Sequence, residues 1–182
     1  MDGHSASPAG EDLIRELYAG QWGPMVRLAS LLLGSSAQAE EVVQDAFVGT
    51  YRARARLRGA AAARAYLRRS VVNGCRSVQR HASVELRHRP AADPAPGEPE
   101  DLVIERAEHD DVLAALRSLS RRQQEVLVLK YYLDASEADI AALAGISRGA
   151  VKTHTSRGMA ALRNALLSPA GHQPHPIDRR SR

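Results

Sequence analysis

Apolar residues recur at helical spacing from Leu13 to Val84, and Pro24 is the sole proline between Ala9 and His88, so the pattern predicts several helices in succession forming one helical domain. Leu13, Leu17, Val26, Leu28, Ala29, Leu31 and Leu32 make the first core-facing set. Gly34-Ser35-Ser36 then offers a helix stop followed by a serine cap for the next helix. In Gln38 to Tyr51, the residues Val42, Val43, Ala46, Phe47, Thr50 and Tyr51 fall on one stripe, which leaves Glu40, Glu41, Gln44 and Asp45 on the outer face.

The pattern breaks between Arg87 and Pro99, where Pro90, Pro94, Pro96, Gly97 and Pro99 replace any apolar period. Residues 84–100 are expected to be a flexible proline-rich linker, spanning roughly 55 Å fully extended and ~20 to 25 Å as a coil. Two parts joined in this way can work on separated sites. Helical spacing resumes with Leu102, Val103, Val112, Leu113, Leu116 and Leu119. The expected layout is a frayed start over 1–12, a helical domain over 13–83, the linker, a second helical domain over 101–167, and a disordered polar tail over 168–182. The fold class is all-α, two small helical domains.

The second domain carries the sharper pattern. Ser120 and Gln123 have capping-box spacing ahead of Val126, Leu127, Leu129, Tyr132 and Leu133. Ser136 can cap Glu137 to Ala144, Gly145 can supply a left-handed turn, and Ser147 can cap a third helix from Arg148. Ile140, Ala141, Gly145, Ile146 and Val151 are small or apolar where two crossing helices must pack closely, which is a helix-turn-helix pattern. On its second helix Val151, Thr155, Met159 and Leu162 form the inward stripe, and Arg148, Lys152, Thr153, Ser156 and Arg157 face outward. Such a helix fits the major groove, where cations and hydroxyls reach base edges and phosphates. A solvated basic face is the plainer alternative.

Composition narrows the options. With 182 residues, 44% hydrophobic and 4% aromatic, one or two small domains are expected and a large aromatic core is excluded. The net charge of +4 is unevenly spread: residues 1–83 carry 11 bases and 7 acids, 84–111 carry 3 and 9, and 112–182 carry 11 and 5. Two basic ends suit a polyanion, and the acidic block from Glu98 to Asp111 could screen them against free DNA. The single cysteine, Cys75, leaves no intramolecular disulfide and no thiolate zinc cluster, in keeping with a reducing cytoplasm. Cys75 itself reads as a small buried filler rather than a redox switch. Met1 to Pro8 lacks the basic and apolar order of a signal peptide, and the apolar runs fall short of the ~20 residues that span a bilayer.

The run from Leu119 to Tyr132, Leu-Ser-Arg-Arg-Gln-Gln-Glu-Val-Leu-Val-Leu-Lys-Tyr-Tyr, with Ser136 to Ala141 and Gly145 to Lys152, closely resembles region 4 of extracytoplasmic-function sigma factors of the sigma-70 family. Ala39 to Phe47 resembles region 2.2 of the same family, and Ala65 to Asn73 resembles regions 2.3 and 2.4. The resemblance spans roughly Leu13 to Leu167, without a separate region 3. The Arg68-Arg69-Ser70-Val71-Val72-Asn73 phrase and the preference for arginine over lysine are most similar to an actinobacterial, sigma-E-like subgroup.

The resemblance implies a dissociable initiation subunit without catalysis, cofactor or metal of its own. Region 2 would dock on core RNA polymerase through Glu41, Gln44 and Asp45 and open the minus-ten element along Arg64, Arg68, Arg69, Asn73, Arg76 and Arg80. Region 4 would bind the minus-thirty-five element, and an anti-sigma factor is a possible further partner. Single-stranded bases usually need aromatic platforms, yet between Arg58 and Tyr66 there are, apart from Arg64, only Gly59 and alanines, so Tyr66 is the one stacking candidate or else a core residue. Melting is expected to be weak or confined to favourable promoters. Thr155 stands where the family's inward stripe has leucine, and the Arg52, Arg54, Arg56, Arg58 alternation reads as a solvated helix end.

Glu41 and Asp45 lack a nearby third metal ligand. Three rivals stand beside the resemblance. A response-regulator type helix-turn-helix regulator shares the second-half motif but needs a β-containing receiver. A nucleic-acid hydrolase lacks any phosphate cradle or catalytic constellation. A protein-binding helical adaptor leaves the outward cations without a role.

Overall fold

The computed structural model describes the backbone of residues 8–88 and 106–167, and the side chains of 11–83 and 111–167. Among the described residues there are seven helices and no strand: α1 (Pro8–Leu33), α2 (Ser36–Ala53), α3 (Gly59–His88), α4 (Arg106–Ser118), α5 (Arg121–Tyr131), α6 (Glu137–Ala144) and α7 (Arg148–Leu167), with one 3₁₀ turn at Arg54–Arg56. The all-α class is as expected. Helix α1 begins at Pro8, ahead of Leu13, and α3 continues to His88, past the expected boundary at 83. Leu102, Val103, most of the proline-rich linker, nearly all of the acidic block's side chains and the tail from Ser168 lie outside the described residues.

Helix α1 runs through Pro24. Proline brings no N–H, so the Gly20 carbonyl one turn earlier loses its helical donor. The Gln21 side-chain amide donates to it at 3.1 Å. The stop at Gly34 and the Ser35 cap form as the pattern predicts, with the Ser35 hydroxyl accepting from the Gln38 N–H at 3.4 Å. On α2, Val42, Val43, Ala46, Phe47 and Thr50 are buried, together with Ala39 and Ala53. Tyr51 is not: it is 41% exposed and lies under the Arg54 guanidinium, 3.9 Å from its ring centroid. Its place at the stripe's edge lets the ring serve a cation instead of the core. Met25, absent from the expected core set, is buried with Leu17, Leu28, Ala29 and Leu32. Tyr18, Trp22 and Phe47 form a small ring cluster between α1 and α2, with centroids 5.0 to 5.9 Å apart.

Helices α1, α2 and α3 pack on one another, and α4, α6 and α5 gather around α7. Helix α5 buries Val126, Leu127, Val128 and Leu129. Val112 is 46% exposed rather than in the core, because α4 turns that edge toward an open apolar groove. The two halves are not held apart: α1 packs on α5 and α3 on α6, so one apolar core runs from Leu17 to Val151 across both.

Gly74 is where α3 comes closest to α2. A Cβ there would sit 2.7 Å from Val42 Cγ1. Gly74→Ala is therefore expected to destabilise the fold by about 1–3 kcal/mol through overpacking, despite the ~1 kcal/mol that alanine gains in helix propensity. Urea unfolding checks this, and Val42→Ala in the same chain should recover part of the loss.

Beside Gly74, burial pushes the Cys75 thiol from 9.0 up to about 12. The unfolded thiol ionises first as pH rises, so the stabilisation is complete below about 9 and is lost on the way to about 12. Chemical denaturation across that range should show falling stability, with a shallower fall in Cys75→Ala.

Candidate nucleic-acid interface

Each turn of the second domain is fixed by a local device. The Gln123 side chain accepts from the Ser120 N–H at 3.2 Å at the start of α5. Ser136 accepts from the Asp139 N–H at 3.1 Å at the start of α6, and Ser147 from the Ala150 N–H at 3.1 Å at the start of α7. Between α6 and α7, Gly145 adopts φ 63°, a left-handed conformation that glycine alone takes without penalty. Ile140 and Val151 are fully buried where the two helices cross. Val151 and Gly158 are the buried positions of α7, while Thr155, Met159 and Leu162 are half-buried. The Thr155 hydroxyl donates to the Val151 carbonyl at 2.9 Å, so it sits at the edge of the core without an unmet donor.

This frame leaves Arg148, Lys152, Thr153, Ser156 and Arg157 exposed on α7. Lys152 Nζ lies 3.9 Å from Glu137 Oε2, an exposed pair of little energetic weight. The first turn of α7 adds unpaired N–H groups and the positive end of the helix dipole, which favour a phosphate.

The α3 residues lie differently. Arg64, Arg69, Asn73 and Arg80 are exposed, and Arg68 and Arg76 are half-buried. Arg68 and Arg69 line a crevice of about 300 Å³ facing Leu133, Asp134 and Asp139. Asn73, Arg76 and Arg80 line a cleft of about 510 Å³ facing Arg121, Arg122 and Glu125. Arg68 Nε and Arg76 Nη2 are buried without an acceptor. Tyr66 is 39% exposed, so it is not a core residue. Along α2, Glu40, Glu41, Gln44 and Asp45 are all exposed.

Sequence reasoning missed the groups that join the two halves. Arg76 Nε and Glu125 Oε1 are 2.5 Å apart, and Arg122 Nη1 is 2.7 Å from Glu125 Oε2. Gln124 donates to the Leu31 carbonyl at 2.7 Å, Arg121 to the Gln79 carbonyl at 2.7 Å, and the Tyr132 hydroxyl to the Pro24 carbonyl at 2.9 Å. The available signal was Gln124 and Glu125 placed directly before Val126 in a helix that is otherwise core, since polar residues there need partners.

Two families match the chain: Sigma-70 region 2 over residues 20–83 and Sigma-70, region 4 over residues 109–162. The chain is 32% identical over 144 residues to the ECF RNA polymerase sigma factor SigM of Mycobacterium tuberculosis, covering 77% of this chain and 70% of that protein. It is 28% identical over 145 residues to the RNA polymerase sigma-E factor of Streptomyces coelicolor, covering 79% of this chain and 80% of that one. It is 30% identical over 143 residues to the Probable RNA polymerase sigma factor RfaY of Xanthomonas campestris pv. campestris, covering 72% of this chain but only 34% of that longer protein. In fold it is similar to the sigma factor RpoE of Bartonella quintana, solved with the anti-sigma factor NepR, at a TM-score of 0.66 and 23% identity over 86% of this chain and 97% of that one.

The chain thus belongs to the extracytoplasmic-function sigma factors of RNA polymerase, and two of these relatives are actinobacterial. Sigma factors direct the polymerase to promoters and start transcription, so the response-regulator reading is not favoured. No helix among the described residues is long and apolar enough to cross a membrane.

If α7 meets DNA, Arg148→Ala with Lys152→Ala should weaken duplex binding and lower the slope of log affinity against log salt by about 2 where both contact phosphates. Fluorescence anisotropy over a salt series reads both quantities, and unchanged values would fit a protein-binding role for this face.

Proposed function

We propose that three faces of the chain divide the work of initiation. The exposed α7 side chains Arg148, Lys152, Thr153, Ser156 and Arg157 read the minus-thirty-five element in the major groove. The α3 side chains Arg64, Arg68, Arg69, Asn73 and Arg76 hold the minus-ten region as it opens, with Tyr66 as the stacking platform. Glu41, Gln44 and Asp45 on α2 dock on core polymerase. The corresponding units are residues 13–83 and 101–167. The observation that carries this reading is the α7 frame: two buried crossing residues, Ile140 and Val151, and the left-handed Gly145 leave the five DNA-facing side chains exposed together.

Electrostatics support the division. The α7 face offers cations to phosphates and base edges, while the α2 face offers carboxylates and an amide to a basic partner surface. Nothing in this division requires a cofactor, a metal or chemistry by the chain itself, since bond making belongs to the polymerase. The chain would act in the cytoplasm with the polymerase. An anti-sigma protein is a fitting further partner, as RpoE of Bartonella quintana has one in its solved complex.

Multi-round run-off transcription tests this reading. Purified chain is added to sigma-free bacterial core with a pool of genomic promoters. New specific transcripts are expected, and replacing Glu41, Gln44 and Asp45 by alanine should abolish them together with co-elution with core. Transcripts that survive that triple replacement would show that the polymerase is held elsewhere.

A further inference from the structure

The cleft between α3 and α5 gathers more positive charge than the fold itself uses. Its volume is about 510 Å³, and four guanidiniums line it: Arg76 and Arg80 from α3, Arg121 and Arg122 from the first turn of α5. Glu125 is the one carboxylate in that lining, so four cations against one anion leave three positive charges unmatched there. Both Glu125 oxygens are already engaged, one by Arg76 and the other by Arg122, which neutralises its charge inside the wall.

Each guanidinium carries five N–H donors, and the fold engages few of them. Arg121 gives one bond, to the Gln79 carbonyl, and the Arg80 side chain has no partner among the described residues. Arg76 Nη2 is buried without an acceptor. Helix α5 also starts against the field of its own backbone: its first turn holds two arginines and no acid, although a helix N-terminus favours anions and disfavours cations. An anion between that turn and α3 removes this cost.

We infer that the cleft is a binding site for a compact oligophosphate anion, the group that nucleoside di- and triphosphates carry. Guanidinium forks match phosphate oxygens with paired bonds, and the cleft lies within the size range of about 300–1,000 Å³ usual for small-ligand pockets. A nucleic-acid strand spreads one negative charge per nucleotide along its length, whereas here several cations converge from two walls on one enclosed space, which suits a ligand whose charges are gathered together. Arg80, Arg121 and Arg122 have no part in the three faces proposed above. Asn73, on the α3 wall, adds a side-chain amide to the donors.

Isothermal titration of the full chain in magnesium-free buffer tests the site, with inorganic tripolyphosphate as the probe and a nucleoside lacking phosphate as its control. One-to-one binding of tripolyphosphate and none of the nucleoside are expected. Arg80→Ala combined with Arg121→Ala should weaken tripolyphosphate by about tenfold or more, as expected for lost hydrogen bonds between charged groups. Arg80→Ala alone, which removes no bond of the described fold, should show part of that loss and guards against a folding defect in the pair. Arg52→Ala with Arg58→Ala removes the same charge at exposed positions outside the cleft and should leave the affinity within about twofold, because exposed charges beyond screening range contribute little.

An equal loss in the Arg52 and Arg58 pair would overturn the inference in favour of diffuse attraction to a basic chain, and so would an unchanged affinity in the Arg80 and Arg121 pair. A mixed-sequence single strand, measured by anisotropy on the same variants, distinguishes the remaining source of phosphate. Strand affinity that falls in the Arg80 and Arg121 pair while tripolyphosphate binds neither variant nor parent would give the cleft to nucleic acid and overturn the small-anion site.

Discussion

A carboxylate taken out of water must be met by cations or donors, and in this chain that requirement joins the two domains. Glu125 stands in the first turns of α5, beside residues that form the core of the second domain, and its side chain is almost fully covered. Arg122, three residues earlier, satisfies one oxygen from within the same helix and also donates to the Ala144 carbonyl at the end of α6. The second oxygen is satisfied only by Arg76 of α3. Breaking such a pair by removing one member costs far more than the pair contributes over an apolar replacement, because it strands the remaining charge. The arrangement therefore specifies one docking geometry more than it adds stability.

The surrounding contacts follow the same logic. Helix α1 ends with no basic residue in its last turn, so its final carbonyls need donors from elsewhere. Gln79 of α3 serves Leu32, at 2.7 Å, and Gln124 of the second domain serves Leu31. Tyr132 reaches back to Pro24. Each of these groups can exchange its partner for water if the domains part, whereas the apolar core that runs across both halves would then lose part of its cover. Polar bonds across the edge of an apolar core make an interface that is specific in its geometry.

Much of this was legible in the chain itself. The stripe through Val42, Val43, Ala46, Phe47 and Thr50, the stop at Gly34, the three serine caps and the left-handed Gly145 all rest on contacts within a few residues, where period and turn chemistry decide the outcome. Tyr51 and Val112 went the other way because each lies at the margin of its stripe, where a neighbouring cation or an open groove outweighs the period. The pairs that join the domains were hidden for a different reason. Glu125 and Arg76 are 49 residues apart, and Gln124 and Leu31 are 93 apart, so no local pattern announces either pair. The composition also pointed to two basic ends free to act apart, whereas one apolar core joins them.

The central claim is that one ion pair couples the α3 face to the second domain. A double-mutant cycle on the unfolding free energy, using Arg76→Gln, Glu125→Gln and the combination, measures that coupling most directly. A buried carboxylate and a half-buried guanidinium within hydrogen-bond distance should give an interaction energy of roughly 1–3 kcal/mol, so the double variant is less destabilised than the sum of the single ones. Simple additivity would show that Arg76 and Glu125 do not sense each other in the folded chain, and would contradict the account.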